Sequence, residues 1–511
     1  MLLILAILLL LATFSTKLAE KLGIPGLIVF LGLGMIFGND VLNLIYFDDP
    51  LLAETIGTAF LIIILFEGGF STKRELMKIV IKPAFTLATI GVIVTAVVIG
   101  TLAYLLLDLS LHSAFLIGAI ISSTDAAAVF ASLRNKKIEP KTAATLEIES
   151  ATNDPMAIIL TITIIQLIQG TFSSPVFFVV NLGWQILAGS LIGYLIGKVG
   201  PYIINKAKLE TGGFYLVLTL GLCFLSYGLA SEIKGNGFLA VFITGYLISN
   251  SQFVYKNSAL RFVDGLSSFS QVMLFLMLGL LVSPSKVLLY WQDGIIISLI
   301  LIFIARPVAV FLLTIFWDYS LRQKIFLCWG GIKGAVPIVL AVYPFAAGLE
   351  DANYYFNIVF FVVLLSALIQ GATLDLLAGK LKLFFGKKKP SVHSLELISL
   401  EESGSELIEY NIKKESELIN KKIYQLLLPK HSLVTAIVRN KDIVTPRGNT
   451  VLKAGDTLFL LTRMDDKEAL LAALEPEKDV PEEDNFLNKS KPIPEKENKM
   501  TSGLNIRKRL K

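Results

Sequence analysis

The chain has 511 residues, 54% of them hydrophobic and only 17% charged, with a formal net charge of +5. The apolar excess lies almost wholly in residues 1–385 and charge gathers beyond Lys387, which excludes an ordinary soluble globular protein and fits a polytopic membrane protein with a soluble C-terminal appendage. The two cysteines, Cys223 and Cys328, sit inside apolar runs and read as small apolar residues rather than as a disulfide or metal pair.

Hydropathy and helix breakers predict about thirteen spans, at approximately 1–18, 25–38, 52–70, 83–107, 112–133, 141–169, 180–204, 212–231, 236–250, 262–283, 290–317, 323–347 and 353–379. The first opens Met1-Leu2-Leu3-Ile4-Leu5 without a basic region, and Leu18-Ala19-Glu20-Lys21 is a poor cleavage site. It reads as a span and not as a removable signal. Basic residues fall in alternate loops: Lys17 and Lys21, Lys73 to Lys82, Arg134 to Lys141, Lys206 and Lys208, Lys256 and Arg261, Arg322 and Lys324, and Lys380 to Lys389. The other loops hold Lys234, Lys286 and acids such as Asp48, Asp49, Glu350 and Asp351. By the positive-inside rule the first set is cytoplasmic, which puts the N-terminus outside and the C-terminal domain inside. An odd number of spans satisfies this.

Ionisable residues inside the spans come next in the chain. Glu67 lies near a cytoplasmic end, within reach of water, and takes a structural reading. Asp125 ends the polar run Ser122-Ser123-Thr124-Asp125, whose side chains compete with the helix for hydrogen bonds. Span 141–169 carries Glu147, Glu149 and Asp154, with Ser150 one turn below Asp154 and Glu149 one turn below Asn153. Glu149 and Asp154 point in different directions, so one can be tied into the scaffold while the other faces a cavity. Pro155 frees the carbonyl of Ala151 near the Asp154 carboxylate. Further on, Trp329-Gly330-Gly331-Ile332-Lys333-Gly334-Ala335-Val336-Pro337 places glycines and a proline around a lysine, a second helix break. Breaks at such depth line a cavity or are buried in protein, and paired breaks in two halves point to a midplane site between inverted repeats.

A carboxylate at that depth costs at least about 2.5 kcal/mol, so it usually marks a path or a site; the plainer alternatives are a structural hydrogen bond or a neutral acid. Arg306 cannot deprotonate and needs a partner, for which Glu149 is the candidate. Asp125 and Lys333, at the two breaks, are expected to compensate each other and the exposed helix ends. Asp154 is then left to a proton or a bound cation, and competition between the two gives exchange.

Ser123-Thr124-Asp125, Glu149-Ser150-Ala151-Thr152-Asn153-Asp154 and Gly331-Ile332-Lys333-Gly334-Ala335-Val336-Pro337 resemble the monovalent cation:proton antiporters of the sodium/proton exchanger type. The resemblance covers roughly residues 1–380 and is greatest to the bacterial potassium/proton antiporters called cell volume regulation protein A, which carry a cytoplasmic regulatory tail. It implies that Asp154 binds ion and proton with Asn153 beside it, that Ser150 and Thr124 supply oxygens, that Asp125 sits on the unwound helix, and that Glu149 pairs with Arg306. Asn153 before Asp154 resembles the electroneutral branch. Two positions depart from many relatives: Ala126 replaces proline and Lys333 replaces arginine, keeping the charge without the fork geometry.

Residues 386–393 read as a basic linker. From residue 394 the pattern changes to a strand at Ser394 to Leu400, a short helix from Ser416 to Leu428 stopped by Pro429, a strand at Leu433 to Arg439, extended chain from Ile443 to Arg463 with turns at Pro446-Arg447-Gly448-Asn449 and Gly455-Asp456, and a helix from Lys467 to Leu474. Ala436-Ile437-Val438-Arg439 and Leu452-Lys453-Ala454-Gly455-Asp456-Thr457-Leu458 resemble the C-terminal subdomain of regulators of potassium conductance. That likeness implies a nucleotide or cyclic dinucleotide as ligand and a homodimer; an inert folded tail is the alternative. Residues 477–511, rich in Glu, Lys and Pro, read as disordered.

The expected fold class is therefore an all-α polytopic membrane domain (residues 1–385, inverted repeats with two broken helices) and a small cytoplasmic α+β domain (residues 394–476). The expected function is exchange of a monovalent cation, potassium before sodium, for protons, serving pH homeostasis and cell volume regulation, with lipid as surroundings, no cofactor and no nucleic acid. A ligand-gated cation channel is the more distant alternative, but no Thr-Val-Gly-Tyr-Gly-like filter occurs. A pump would need a phosphate-binding loop and an enzyme a nucleophile–base set; neither pattern is present, and His112, His393 and His431 are scattered.

Overall fold

The computed structural model describes residues 2–22, 25–133, 136–171, 175–387, 394–396, 405–412, 416, 418–439 and 442–474. The expected tail 477–511 lies outside them, as does most of the 386–393 linker. The chain divides into two units, Met1–Pro390 and Ser391–Lys511.

Among the described residues of the first unit, eight helices are long and apolar enough to cross a membrane: Pro50–Ser71, Met77–Leu106, Pro140–Ile168, Val176–Lys206, Gly212–Glu232, Lys256–Leu281, Trp291–Leu313 and Ala352–Lys380. Five shorter apolar helices, Ala6–Lys17, Gly26–Phe37, Leu111–Ile120, Gly237–Ser249 and Ala335–Ala346, complete the thirteen expected segments. Local chemistry sets their starts. Asp49 accepts from Leu52 N, Ser110 from Ser113 N and Asn236 from Leu239 N, while Ser320 and Gln323 form a reciprocal capping box. The short, glycine-rich Gly26–Phe37 helix packs backbone to backbone on Lys256–Leu281. A β-carbon on Gly34 would stand 2.4 Å from Leu276 O, closer than any side chain tolerates.

Two helices are broken, at the places the sequence marks. Leu111–Ile120 stops where Ser122 Oγ turns back to Ala119 O at 2.6 Å, and Ala126–Ser132 restarts after Asp125, whose Oδ1 caps Ala128 N at 3.2 Å. Leu321–Trp329 stops at Gly330, and helix resumes at Ala335–Leu340. The unwound stretches meet: Asp125 N donates to Ile332 O at 2.8 Å, so each break supplies a partner to the other's backbone. Two π-helical turns, Leu301–Ala305 and Ala367–Gly371, have no clear sequence signature; the first leads directly into Arg306.

One short antiparallel pairing closes the loop between the first broken helix and Pro140–Ile168. Strand Lys136–Ile138 pairs with Phe384–Lys387, in the register Lys136 to Lys387 and Ile138 to Phe384. Lys136 Nζ reaches Asp375 at 2.9 Å and lies 4.7 Å from the centre of the Phe384 ring.

The second unit is a five-stranded antiparallel sheet in the order Ser394–Glu396, Ser405–Asn411, Thr457–Arg463, Leu433–Arg439, Asp442–Val444. Ile408, Leu458, Leu460, Val434 and Ile437 form one buried cluster with Leu470 and Leu474 of helix Lys467–Leu474. The helix expected from Ser416 to Leu428 is not formed; among the described residues only the 3-10 turn Ile423–Gln425 is helical. Its backbone groups pair across the chain instead: Asn420 N donates to Leu452 O, Leu452 N to Lys421 O and Ile423 N to Thr450 O. Asn420, at φ 66°, also turns the backbone out of helical space.

Candidate functional site

The two breaks and helix Pro140–Ile168 bring the sequence-selected residues together. Ser150 Oγ donates to Thr124 O at 2.8 Å and accepts from Ala126 N at 2.8 Å, bridging both ends of the gap before Ala126–Ser132. Asn153 holds the same segment: its Oδ1 accepts from Thr124 N at 3.3 Å and its Nδ2 donates to Thr124 Oγ1 at 2.7 Å. Backbone groups freed by unwinding are thus satisfied by side chains one helix away. Asn153, expected beside the ion, is 1% exposed and spends its amide on this brace.

Glycines set how closely charge can approach. A β-carbon on Gly334 would fall 2.2 Å from Asp125 Oδ2, and one on Gly331 would fall 2.7 Å from Arg306 Nε. The glycine cluster around Lys333 is the space into which an acid and a guanidinium fit.

The fixed charges divide unequally. Arg306 Nη1 and Nη2 meet Glu149 Oε1 and Oε2 at 2.5 and 3.0 Å, a two-pronged pair with Nη2 also donating to Leu327 O at 3.2 Å. Lys333, fully buried, donates through Nζ to Ser123 O at 2.7 Å and Ser122 O at 3.3 Å. It therefore compensates the carbonyl end of Leu111–Ile120 and not, as the charge count suggested, the Asp125 carboxylate by direct contact. Among the described residues Asp154 Oδ1 is buried without a hydrogen-bond partner, and the Ser123 hydroxyl, with Oγ buried, stands against the Asp154 carboxylate.

Both of those atoms belong to residues on the wall of one cavity of about 650 Å³, shared with Thr124, Asp125, Ser150 and Ala151. Glu67 and Glu147 line it as well. Gly68 and Ser71 beside Glu67 open onto the same cavity.

Residues 5–380 match the family described as "Sodium/hydrogen exchanger, transmembrane", and residues 407–474 match the TrkA-C domain. The chain belongs to the sodium/hydrogen exchanger family. The K(+)/H(+) antiporter NhaP of Alkalimonas amylolytica is 35% identical over 467 residues, covering 91% of this chain and 81% of that protein. The K(+)/H(+) antiporter NhaP2 of Shewanella oneidensis is 36% identical over 458 residues, covering 89% and 80%. The solved structure of the sodium proton antiporter MjNhaP1 from Methanocaldococcus jannaschii at pH 8 superposes with a TM-score of 0.66 at 28% identity, over 74% of this chain and 97% of that one. The present chain is accordingly a multi-pass membrane transporter, a cation/proton antiporter with a TrkA-C domain.

Proposed function

We propose that this exchanger trades potassium for protons by letting one carboxylate, Asp154, hold either ion but never both. The observation that carries the reading is the buried Asp154 carboxylate on the cavity wall, whose Oδ1 has no hydrogen-bond partner among the described residues. Arg306 is taken by Glu149 and Lys333 by backbone carbonyls, while Glu67, Asp125, Glu147 and Asp154 line one cavity, so acids outnumber bases there and Asp154 is left to a proton or a monovalent cation. With neither bound, a bare carboxylate would have to cross between the two faces of the membrane, at a desolvation cost of several kcal/mol. Reorientation is then confined to the loaded states, and coupled exchange follows. Asp125, Thr124 and Ser150 shape the site from the broken helix, Asn153 braces it, and the Glu149–Arg306 pair and Lys333 are its fixed scaffold.

Potassium is supported by the relatives that match along most of the chain, which are named K(+)/H(+) antiporters. Sodium is the second reading, supported by the family description and by the 33% identical Na(+)/H(+) antiporter 1 of Methanocaldococcus jannaschii, which matches over 353 residues.

We assign residues 1–385 to transport, 386–393 to a linker, 394–476 to a regulatory domain and 477–511 to a disordered tail. The distribution of basic loops supports an N-terminus outside and a regulatory domain in the cytoplasm. The TrkA-C match supports sensing of a small cytoplasmic ligand, a nucleotide or cyclic dinucleotide, by a homodimer. The test is dye-monitored exchange in proteoliposomes with voltage clamped, comparing potassium and sodium at matched concentrations. Wild type exchanges potassium better than sodium and Asp154→Asn exchanges neither. Substantial pH-dependent flux through folded Asp154→Asn overturns the single-carboxylate mechanism, and equal or better sodium exchange overturns the choice of ion.

A further inference from the structure

We propose that Thr58 and Tyr343 form the gate that shuts the transport path on the Pro50 side of the membrane unit, and that the hydrogen bond between them sets which face the cavity meets. The proposal goes beyond the single-carboxylate reading and shares with it only the premise that the site is exposed to the two faces in turn.

The cavity reaches one side only. On helix Pro50–Ser71 its lining runs from Ile64 to the last residue, Ser71, and stops short of the Pro50 half. On Ala335–Ala346 it stops at Pro337. Both helices carry the same face on past that point. Leu65 on the cavity wall is followed toward Pro50 by Leu61, Thr58 and Glu54 at helical spacing, and Val336 is followed by Val339 and Tyr343. These two faces meet. A β-carbon on Gly57 would touch Val339 Cγ1 and Leu274 Cδ1 at 3.6 Å, and beside it Thr58 Oγ1 and Tyr343 Oη share a hydrogen bond at 3.1 Å. Leu61, Leu274 and Val339 are buried, so the closure is an apolar plug with one polar bond at its rim.

That bond joins helices with different main partners. Pro50–Ser71 packs most on Gly237–Ser249 and Lys256–Leu281, whereas Ala335–Leu340 packs most on Ala352–Ser366. A motion that carries the broken helices past Pro50–Ser71 must break it. Two hydroxyls suit such a contact. Each can exchange its partner for water at little net cost, so the bond favours the closed side without sealing it. An apolar pair would resist wetting, and a buried ion pair would leave bare charges on opening. Glu54, one turn from Thr58 on the same face, puts an acid at the opened mouth, where a cation arrives.

The experiment uses the full-length chain in right-side-out and inside-out membrane vesicles, comparing wild type, Tyr343→Phe, Thr58→Val and the double variant, with potassium as the probe. Losing either hydroxyl should change the ratio of the potassium KM from the Ser71 side to that from the Pro50 side about fivefold upward, one neutral hydrogen bond's worth of population shift. The double variant should match the singles, since all three lack the same bond. A merely structural bond would change both KM values alike and leave the ratio where it was. A second readout needs no transport. In a chain whose two cysteines are replaced, Cys223→Ala/Cys328→Ala, the reporter Val339→Cys should react about fivefold faster with an impermeant maleimide from the Pro50 side when Tyr343→Phe is added, in Asp154→Asn as well. A KM ratio within about twofold of wild type overturns the gate. Unchanged labelling overturns it too, and both results leave the carboxylate reading standing. Active Asp154→Asn overturns the carboxylate reading and not the gate. If Tyr343→Phe fails to fold, Thr58→Val carries the same two measurements.

Discussion

Separating Glu149 from Arg306 tests how the membrane unit holds charge. Their side chains are 1% and 5% exposed and make two contacts at 2.5 and 3.0 Å. At 3.0 Å and an effective dielectric near 20 the gross attraction is about 5–6 kcal/mol, most of it offset by desolvating both groups. Removing one partner exposes the uncompensated remainder, about 3–5 kcal/mol. The two single changes differ in kind. Arg306→Met, compared at pH 7.5 and pH 5, leaves a buried carboxyl without its counter-charge. Glu149→Gln leaves a guanidinium that cannot deprotonate, and acid brings no relief. The double variant Glu149→Gln/Arg306→Met should lose about as much as one single, a coupling of about 3 kcal/mol. Melting temperatures in detergent at the two pH values measure this. Strictly additive losses, or recovery of Glu149→Gln in acid, would refute the pairing as the source of the stability.

Gly334→Ala should abolish exchange and lower the melting temperature by the equivalent of about 1–3 kcal/mol, because its β-carbon would stand 2.2 Å from Asp125 Oδ2; Gly221→Ala, which meets nothing within 4 Å, is the control. In the second unit, burial pushes the Asp456 carboxyl up, but two Arg439 hydrogen bonds at 2.7 Å and the Lys453 amide at 2.8 Å outweigh it and hold it below the usual carboxylate range. Its stabilisation is therefore complete above the unfolded value near 3.9 and fades as pH falls below about 4, so hydrogen exchange at Leu458 to Leu460 in the full chain should accelerate there. Arg439→Met should speed the same amides at neutral pH by the equivalent of roughly 1.5–3 kcal/mol. Truncation after Lys389 should leave exchange intact and remove its response to cytoplasmic nucleotides, measured in the same vesicles; identical responses in both forms would make the TrkA-C domain an appendage.

Spans, breaks and acids are legible because each is a local departure from a strong background: a charge in an apolar run, a glycine cluster in a helix. The Glu149–Arg306 contact follows from counting charges, since an arginine at depth needs a partner. Hydroxyl bookkeeping does not follow. Ser122, Ser123, Thr124 and Ser150 look alike in sequence, and only three-dimensional contacts reveal which oxygens brace the unwound backbone. Lys333 does compensate an exposed helix end, as its place at the second break suggests, but which carbonyls take its ammonium carries no sequence signal. In the second unit Leu433–Arg439 and Lys467–Leu474 announce themselves by alternation and periodicity. The segment Leu418–Gln425 does not, because its partners at residues 448–452 lie elsewhere in the chain.

The pairing of Lys136–Ile138 with Phe384–Lys387 bears on biogenesis. Lys136 and Asp375, which clasp beside it, are 239 positions apart, so closing that loop in a flexible chain would cost about 5 kcal/mol of entropy, far more than one exposed ion pair returns. The clasp can only form after the intervening helices have inserted and packed. The stretch joining the Asp125 and Asp154 helices stays open until the whole membrane unit is made and is fastened by Asp375 of the last span and by Phe384–Lys387 just beyond it. A ribosome that stops at Lys380 leaves a chain with every span and Asp375 but without the strand that Lys136–Ile138 pairs with.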